Sequence, residues 1–412
     1  MATAVELPRE RVQAARNAVL AIFAFNGMAF AAWASRIPDV KHALGLSPGE
    51  LGLTLLFMSA GSVIGLPMSG WITGRLGAAG SVTIGLVAMG LGVTGLGIGT
   101  DLVGSRWVVA GALFAFGLGV GVWDVGMNLE GASVERLWGK SVMPHFHAAF
   151  SGGTVASALL GSAMSWAGVP VFAHLVGVGA LVALGSARAL RAFLPRDLEQ
   201  GEDGDRTHAH EGADPGASAP AGRVAALAAW TEARTLLVGV MVLVAAFTEG
   251  TANDWFSVAL VEGYGLPNWA GVLGFAVFLT FMTLGRLSGT VVLDRFGRVP
   301  TLRVMFAIAA IGSLMVVFGN TALAYVGGAV WGVGVSLGFP VGMSAAADDP
   351  ARAPARLSVV ATIGYTAFIA GPPLLGFLGD HYGVLRALLA VGAMLVVALA
   401  VLPAAREPQR TR

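Results

Sequence analysis

Gly65-Leu-Pro-Met-Ser-Gly-Trp-Ile-Thr-Gly-Arg-Leu-Gly77 and Gly285-Arg-Leu-Ser-Gly-Thr-Val-Val-Leu-Asp-Arg-Phe-Gly-Arg298 are two versions of one passage. Each brings a Gly-rich helix end to a tight basic turn, and each follows a pair of long apolar segments. A second correspondence runs beside the first: Phe25-Asn-Gly-Met-Ala-Phe-Ala-Ala-Trp33 matches Phe247-Thr-Glu-Gly-Thr-Ala-Asn-Asp-Trp255 in the spacing of Phe and Trp. The chain therefore reads as two halves with one plan.

Composition fixes the solvent of those halves. Of 412 residues, 56% are hydrophobic and 12% charged, with a mean hydropathy of +0.75, whereas a soluble domain carries about 25% charge. Apolar runs of about twenty residues, enough for a helix to cross about 30 Å of hydrocarbon, fall at residues 17–35, 50–73, 78–99, 106–129, 146–168 and 169–190, then at 235–258, 270–292, 302–319, 322–346, 357–379 and 383–403. These predict an all-α membrane protein of twelve transmembrane helices, six in each half. Lipid offers no partner to backbone N–H and C=O groups, and the runs are too long and too weakly alternating for barrel strands.

The 59 glycines include Gly117, Gly119, Gly121, Gly327, Gly328, Gly332 and Gly334 within spans, where small side chains let helices approach closely. Gly332-Val-Gly334 is no dinucleotide loop, because no strand precedes it. Absence of Cys excludes disulfides, thiol catalysis and cysteine metal sites. No cofactor or metal site is expected, a net charge of +1 favours no acidic partner, and nothing points to nucleic acid. A lipid bilayer and a small solute are the expected partners of a monomer.

Arg9, Arg11 and Arg16 precede the first span without a convincing cleavage site, so that span is read as retained. With the N-terminus inside, the inner loops and tails hold most of the 25 Lys and Arg; Arg36, Lys41, Arg106 and Arg386 lie outside and Arg286 lies within a span. This bias predicts a multi-pass protein of the cytoplasmic (inner) membrane with both termini cytoplasmic. Domain boundaries are expected at 1–194 for the first six-helix bundle, 195–234 for a flexible cytoplasmic linker and 235–412 for the second bundle. The linker carries His208 and His210, which lack a third ordered metal ligand, and a possible surface helix near Val224 to Trp230. Two parallel six-span repeats with a site near the midplane are the plan of a secondary transporter.

At these residues the chain resembles the major facilitator superfamily, over nearly all of Asn17 to Leu402. The turn between the second and third spans of each half carries the likeness: Gly289 followed by Asp294-Arg295-Phe296-Gly297-Arg298 in the second half, and the degraded Gly74-Arg75-Leu76-Gly77, without its acid, in the first. The resemblance implies gating by Arg75, Asp294, Arg295 and Arg298, whose charge-assisted hydrogen bonds to neighbouring helix ends would close the cytoplasmic face; service to topology alone is the competing reading. A narrower resemblance lies in Trp123-Asp124-Val-Gly-Met-Asn128, similar to the acid, three residues, Asn pattern of the fucose:proton symporter branch, where the acid is a protonation site. That branch also has an acid on its first span, where this chain reads Trp33-Ala34-Ser35-Arg36.

An ionisable group within hydrocarbon is costly and marks function by default. Asp124, Glu249, Asp254 and Arg286 qualify. Burial favours a protonated carboxyl, as a proton carrier requires, while a nearby Arg favours the ionised form. Asp124, Glu249, Asp254 and His147 are the proton-coupling candidates, with structural pairing of Asp124 to His147 the competing reading; His145 and His147 could equally cap the fifth span, and His174 reads as packing. Arg286 would neutralise one of the acids or bind an anion. Asn26, Asn128 and Asn253, with Trp33, Trp123, Trp255 and Tyr365, are the substrate-binding candidates, since aromatic faces stack on rings while polar tips donate hydrogen bonds; anchoring and packing are the ordinary roles of such aromatics.

The expected function is secondary active transport of a small organic solute by alternating access, with proton-coupled uptake of a sugar-like or polar metabolite favoured. An exporter exchanging drugs or metabolites for protons is the first rival, weakened because Phe150-Ser-Gly-Gly-Thr-Val-Ala-Ser157 lacks the Gly-Pro common on the fifth span of exporters, although Gly371-Pro372-Pro373 offers such a break on the eleventh. An enzyme or receptor would need a catalytic or ligand-binding domain that the linker does not provide, and a fixed channel suits scattered intramembrane acids less well.

Overall fold

A computed structural model of the chain describes residues 8–196, 228–349 and 352–407. The His208 and His210 pair, and most of the stretch proposed as a surface helix, lie outside the described residues. Among the described residues every regular element is helical. The first span is Arg9–Ala34, and the short helix Ile37–Leu44 follows it. The second and third are two arms of one continuous run, Pro48–Gly97, broken at Gly77. The fourth, fifth and sixth are Arg106–Trp138, Met143–Trp166 and Val171–Leu190. The second half continues with Ala233–Tyr264, Asn268–Phe296, Arg298–Phe318, Thr321–Ala346, Ala353–Tyr382 and Val384–Ala405.

Ten segments are long and apolar enough to cross a membrane. Dividing Pro48–Gly97 at Gly77 and adding the fifth span, whose Met143-Pro-His-Phe-His147 start lowers its hydropathy, completes the twelve. The turn expected in each copy of the repeated passage is tighter than its residues suggest. Gly77 has φ 70° and ψ −176°, and Gly297 has φ 76° and ψ 173°. One glycine in the same positive-φ conformation reverses the chain in each half, and Asp294 and Arg295 form the last turn of a helix rather than a loop. The duplication is thus structural as well as verbal.

By contacts, the chain divides into two units: Met1–Arg36 with Phe57–Gly212, and Ile37–Leu56 with Ala213–Arg412. Within the first, glycines bring backbones together. A Cβ on Gly27 would run into the Phe150 carbonyl and one on Gly153 into the Ala24 carbonyl, pairing the first and fifth spans; Gly61 faces the Phe114 carbonyl and Gly117 the Met58 carbonyl, pairing the second and fourth. In the second unit Gly312 and Gly327 approach each other's carbonyls. Lipid gives no hydrophobic drive to helix association, so such close approach carries the packing. In that unit Asn268 Nδ2 also donates to Asp39 Oδ1 at 2.7 Å, Lys41 pairs with Glu262, and the Gly49 N–H donates to Asp380 Oδ1 at 3.0 Å.

At the entry to the seventh span, Arg356 Nε lies 2.6 Å from Glu232 Oε2 and holds that carboxyl below its ordinary range. Its contribution to stability is complete above the ordinary carboxylate pKa and is lost as pH falls through the lower folded value. Glu232→Gln should therefore lower the neutral-pH melting temperature slightly and flatten the acid limb of the profile, the two proteins converging in acid; an identical acid limb would count against the pair. Gly117→Val should destabilise the detergent-solubilised protein by about 1–3 kcal/mol through overpacking, read as an earlier loss of the monodisperse peak on heating.

Candidate functional site

In the first unit the fourth span carries its polar residues one turn apart. Asn128 Nδ2 donates to the Asp124 carbonyl at 2.8 Å and to Asp124 Oδ1 at 3.3 Å. Among the described residues Asn128 is the one side chain bonded to this carboxylate, so Asp124 has an amide and no cation beside it. Asn26 comes in from the first span, its Nδ2 3.4 Å from Met127 Sδ and its Oδ1 buried without a donor. Trp33 and Trp123 are buried with their indole N–H groups unpartnered. His147 is exposed, its ring edge-on to Phe23 at 5.2 Å between centroids.

Two further charges of this unit escape a span-by-span reading of the sequence. The fourth helix runs nine residues past its expected end at 129, to Trp138, and so takes in Glu130, which is 0% exposed. Glu130 Oε1 accepts the Leu194 N–H at 2.7 Å, beside the Ala192 and Phe193 carbonyls that Arg11 holds. Arg36, assigned by sequence to an outer loop, is 1% exposed and donates to the Val169 carbonyl. Glu130 is hidden because the fourth helix extends beyond its apolar run, and Arg36 because the Val169 carbonyl it meets is remote in sequence.

In the second unit the two acids of the seventh span are separated by environment. Arg286 Nη2, from the eighth span, reaches Glu249 Oε1 and Oε2 at 2.9 and 2.8 Å, and Arg286 Nε donates to the Ser336 carbonyl at 3.3 Å, where the tenth helix is interrupted. Charge-assisted hydrogen bonds of this kind are shorter and stronger than those between neutral groups. Asp254 lies instead in a π-helical turn, Ala252–Phe256, which widens the seventh helix; such turns recur at functional sites. It lines a small, partly open recess with Phe247, Thr251, Trp255 and Phe368, whose enclosed space of about 10 Å³ suits one water-sized group. No hydrogen bond or ion pair reaches its carboxylate among the described residues. Asn253 Oδ1 and the Trp255 indole N–H are buried without partners, and Tyr365 stands half-exposed with its ring 6.3 Å from that of Phe368.

The basic residues of the repeated passage part company. Arg298 Nη1 meets Asp348 Oδ1 at 2.7 Å, and Arg234 Nη2 meets Asp348 Oδ2 at 2.6 Å. Asp348, which sequence reading passed over, is thus the acid that gathers this cluster. Asp294 is exposed; the Arg295 guanidinium lies over the Phe296 ring at 5.3 Å and that of Arg75 over the Trp71 ring at 4.2 Å. The Gly74 carbonyl accepts from Arg196 Nη2 at 2.5 Å.

A double-mutant cycle on Glu249→Gln and Arg286→Gln should return a coupling of about 1–3 kcal/mol in thermal or denaturant unfolding, each single change stranding a partly buried charge and the double change costing less than the sum. Strict additivity would show that the pair contributes nothing.

A sequence model of the Major Facilitator Superfamily matches residues 18–353 and 273–412. An uncharacterized MFS-type transporter of Yersinia pestis is 30% identical over 363 residues, 87% of each chain. Among solved structures, the nucleoside transporter NupG superposes with a TM-score of 0.74 at 14% identity, covering 94% of this chain and 100% of that one, and the E. coli fucose:proton symporter FucP with 0.61 at 13%, covering 95% and 98%. Twelve helices in a duplicated plan, charges set within spans, and a sequence match from residue 18 onward agree: this chain belongs to the major facilitator superfamily and is a multi-pass membrane transporter, not an enzyme.

Proposed function

We propose that this transporter takes up a small polar organic solute across the cytoplasmic membrane by alternating access, coupled to protons, with both termini cytoplasmic and the monomer as the working unit. The observation that carries the reading is Asp124, an intramembrane carboxylate whose one bonded side chain is the neutral amide of Asn128. A carboxyl that gains and loses a proton during a cycle must lack a fixed cation, since a permanent guanidinium would hold it ionised. Glu249, gripped through both oxygens by Arg286, fits the opposite role of a standing charge pair. Asn26 and Asn128 supply hydrogen-bonding groups near Asp124, while the buried Trp33 and Trp123 support them by packing. Arg298 and Arg234 on Asp348 form the cytoplasmic latch of the second unit; Asp294 and Arg295 in that unit, and Arg75 in the first, act through surface charge. Among proteins of like fold, the nucleoside transporter NupG and the fucose:proton symporter FucP support a polar solute, and FucP supports proton coupling.

Screening the purified protein for thermal stabilisation by polar solutes identifies the cargo, since a ligand at 100 times its Kd adds about 2.7 kcal/mol to the native state. In proteoliposomes Asp124→Asn should then abolish accumulation driven by a pH gradient while preserving counterflow exchange of that solute. Full gradient-driven accumulation in the variant would remove Asp124 as the proton carrier.

A further inference from the structure

The cavity between the seventh and eleventh spans of the second unit combines one carboxylate with three aromatic rings. Asp254 presents oxygens that no donor of the described residues occupies; Phe247, Trp255 and Phe368 form the walls, and Thr251 adds a hydroxyl. Gly371 leaves the space open: a Cβ there would sit 3.6 Å from the Phe247 ring, in ordinary contact. We infer that this cavity receives the ammonium group of an amine-bearing solute. The inference rests on the solute-transport reading and narrows its cargo from polar to cationic.

Three arguments meet at that ligand chemistry. An ionised carboxylate in a span is costly without a partner, and an ammonium supplies both the countercharge and the hydrogen-bond donors that Asp254 lacks. Aromatic rings attract a cation through their quadrupoles by about 0.5–2 kcal/mol each, most strongly where water is excluded, which is the chemistry of the aromatic cages that bind quaternary and methylated ammonium groups. Finally, the alternatives fit less well. An anionic group would face Asp254 unfavourably, and a neutral hydroxyl would stack on the rings without answering the charge.

The neighbouring acid shows why the choice falls on Asp254. Glu249 is five residues earlier on the same span, but its oxygens are already taken by Arg286, so it offers no net charge to a ligand. The π-helical turn, with its extra residue per hydrogen-bonded ring, sets Asp254 and Trp255 on the wall that Phe247 and Thr251 begin. Asp254 thereby becomes a substrate-binding residue, and Asp124 retains the proton.

Equilibrium binding separates this inference from the transport reading, because it needs neither gradient nor turnover. The full chain in detergent is assayed by thermal shift against isosteric pairs: choline with 3,3-dimethylbutan-1-ol, glucosamine with glucose, and ethanolamine with ethylene glycol. At least one amine should stabilise the protein while its neutral partner does not. Asp254→Asn should weaken that amine at least tenfold, and Gly371→Ala, which adds one methyl without a backbone clash, should weaken it several-fold while the unliganded melting temperature is held. Stabilisation by no amine, equal binding of the neutral partners, or an amine shift that survives Asp254→Asn would each overturn the inference, and proton-coupled transport of an uncharged solute would still stand if Asp124→Asn behaves as stated above.

Discussion

Hydrocarbon offers no hydrogen-bond partner, and every feature of this chain answers to that. Backbone groups must be satisfied within a segment, so the described spans are helices. Side-chain charges must be satisfied between segments, and most here are. Glu249 has Arg286, Glu130 has the Leu194 N–H, and Asp348 has both Arg234 and Arg298. Against that background a carboxylate left without a cation stands out energetically, because its protonation or the arrival of a ligand changes its free energy more than at any compensated site. Asp124, bonded by the neutral amide of Asn128, and Asp254, whose carboxylate no donor among the described residues reaches, are carboxylates of this kind within the spans.

The same solvent shapes the packing. Because lipid tails are as apolar as Leu, association depends on contact distance, and the glycines of the first, second, fourth and fifth spans put backbone against backbone. Such interfaces are stiff, since there is no flexible side chain to adjust. A unit built this way moves as a body, and the places left for local change are interruptions in the helices: the π turn at Ala252–Phe256 and the break at Ser336 in the tenth span. Asp254 lies in the first of these interruptions, and Arg286 bonds the Ser336 carbonyl at the second.

The fold was legible because its signals are summed over long windows. Twenty apolar residues, repeated in two sets, leave little choice of architecture, and the paired basic passages located the reversals at Gly77 and Gly297 within a few residues. The site was legible only in part. Asp124, Glu249, Asp254 and Arg286 could be named because a charge in an apolar run is conspicuous by itself, but their partners could not. The spacing of Glu249 and Arg286 along the chain says nothing about two helices meeting, and Asp348 sits beside Asp349 and Pro350 in what looks like an ordinary helix end. Glu130 was hidden by treating the apolar run as the span, Arg36 because the Val169 carbonyl it meets is remote in sequence, and the π turn leaves no trace in a composition that α-helix would accept.

The two halves began as copies and have diverged in the chemistry of one carboxylate each. A proton demands little of its carrier: a carboxyl in a site that tolerates both charge states, which an amide neighbour provides by hydrogen-bonding to either form. A cationic cargo demands more, namely a carboxylate that stays ionised when occupied, rings around it and space beside it. In the roles proposed above, the first unit would meet the lesser demand at Asp124 with Asn128, and the second the greater at Asp254. Glu249 and Arg286 add what the second unit also needs, a fixed pair that braces the seventh span against the eighth without contributing net charge to the cavity. Under the proposed coupling, placing the two tasks on different helices would let the proton and the cargo bind at once instead of competing for one acid, a condition for moving both in the same direction.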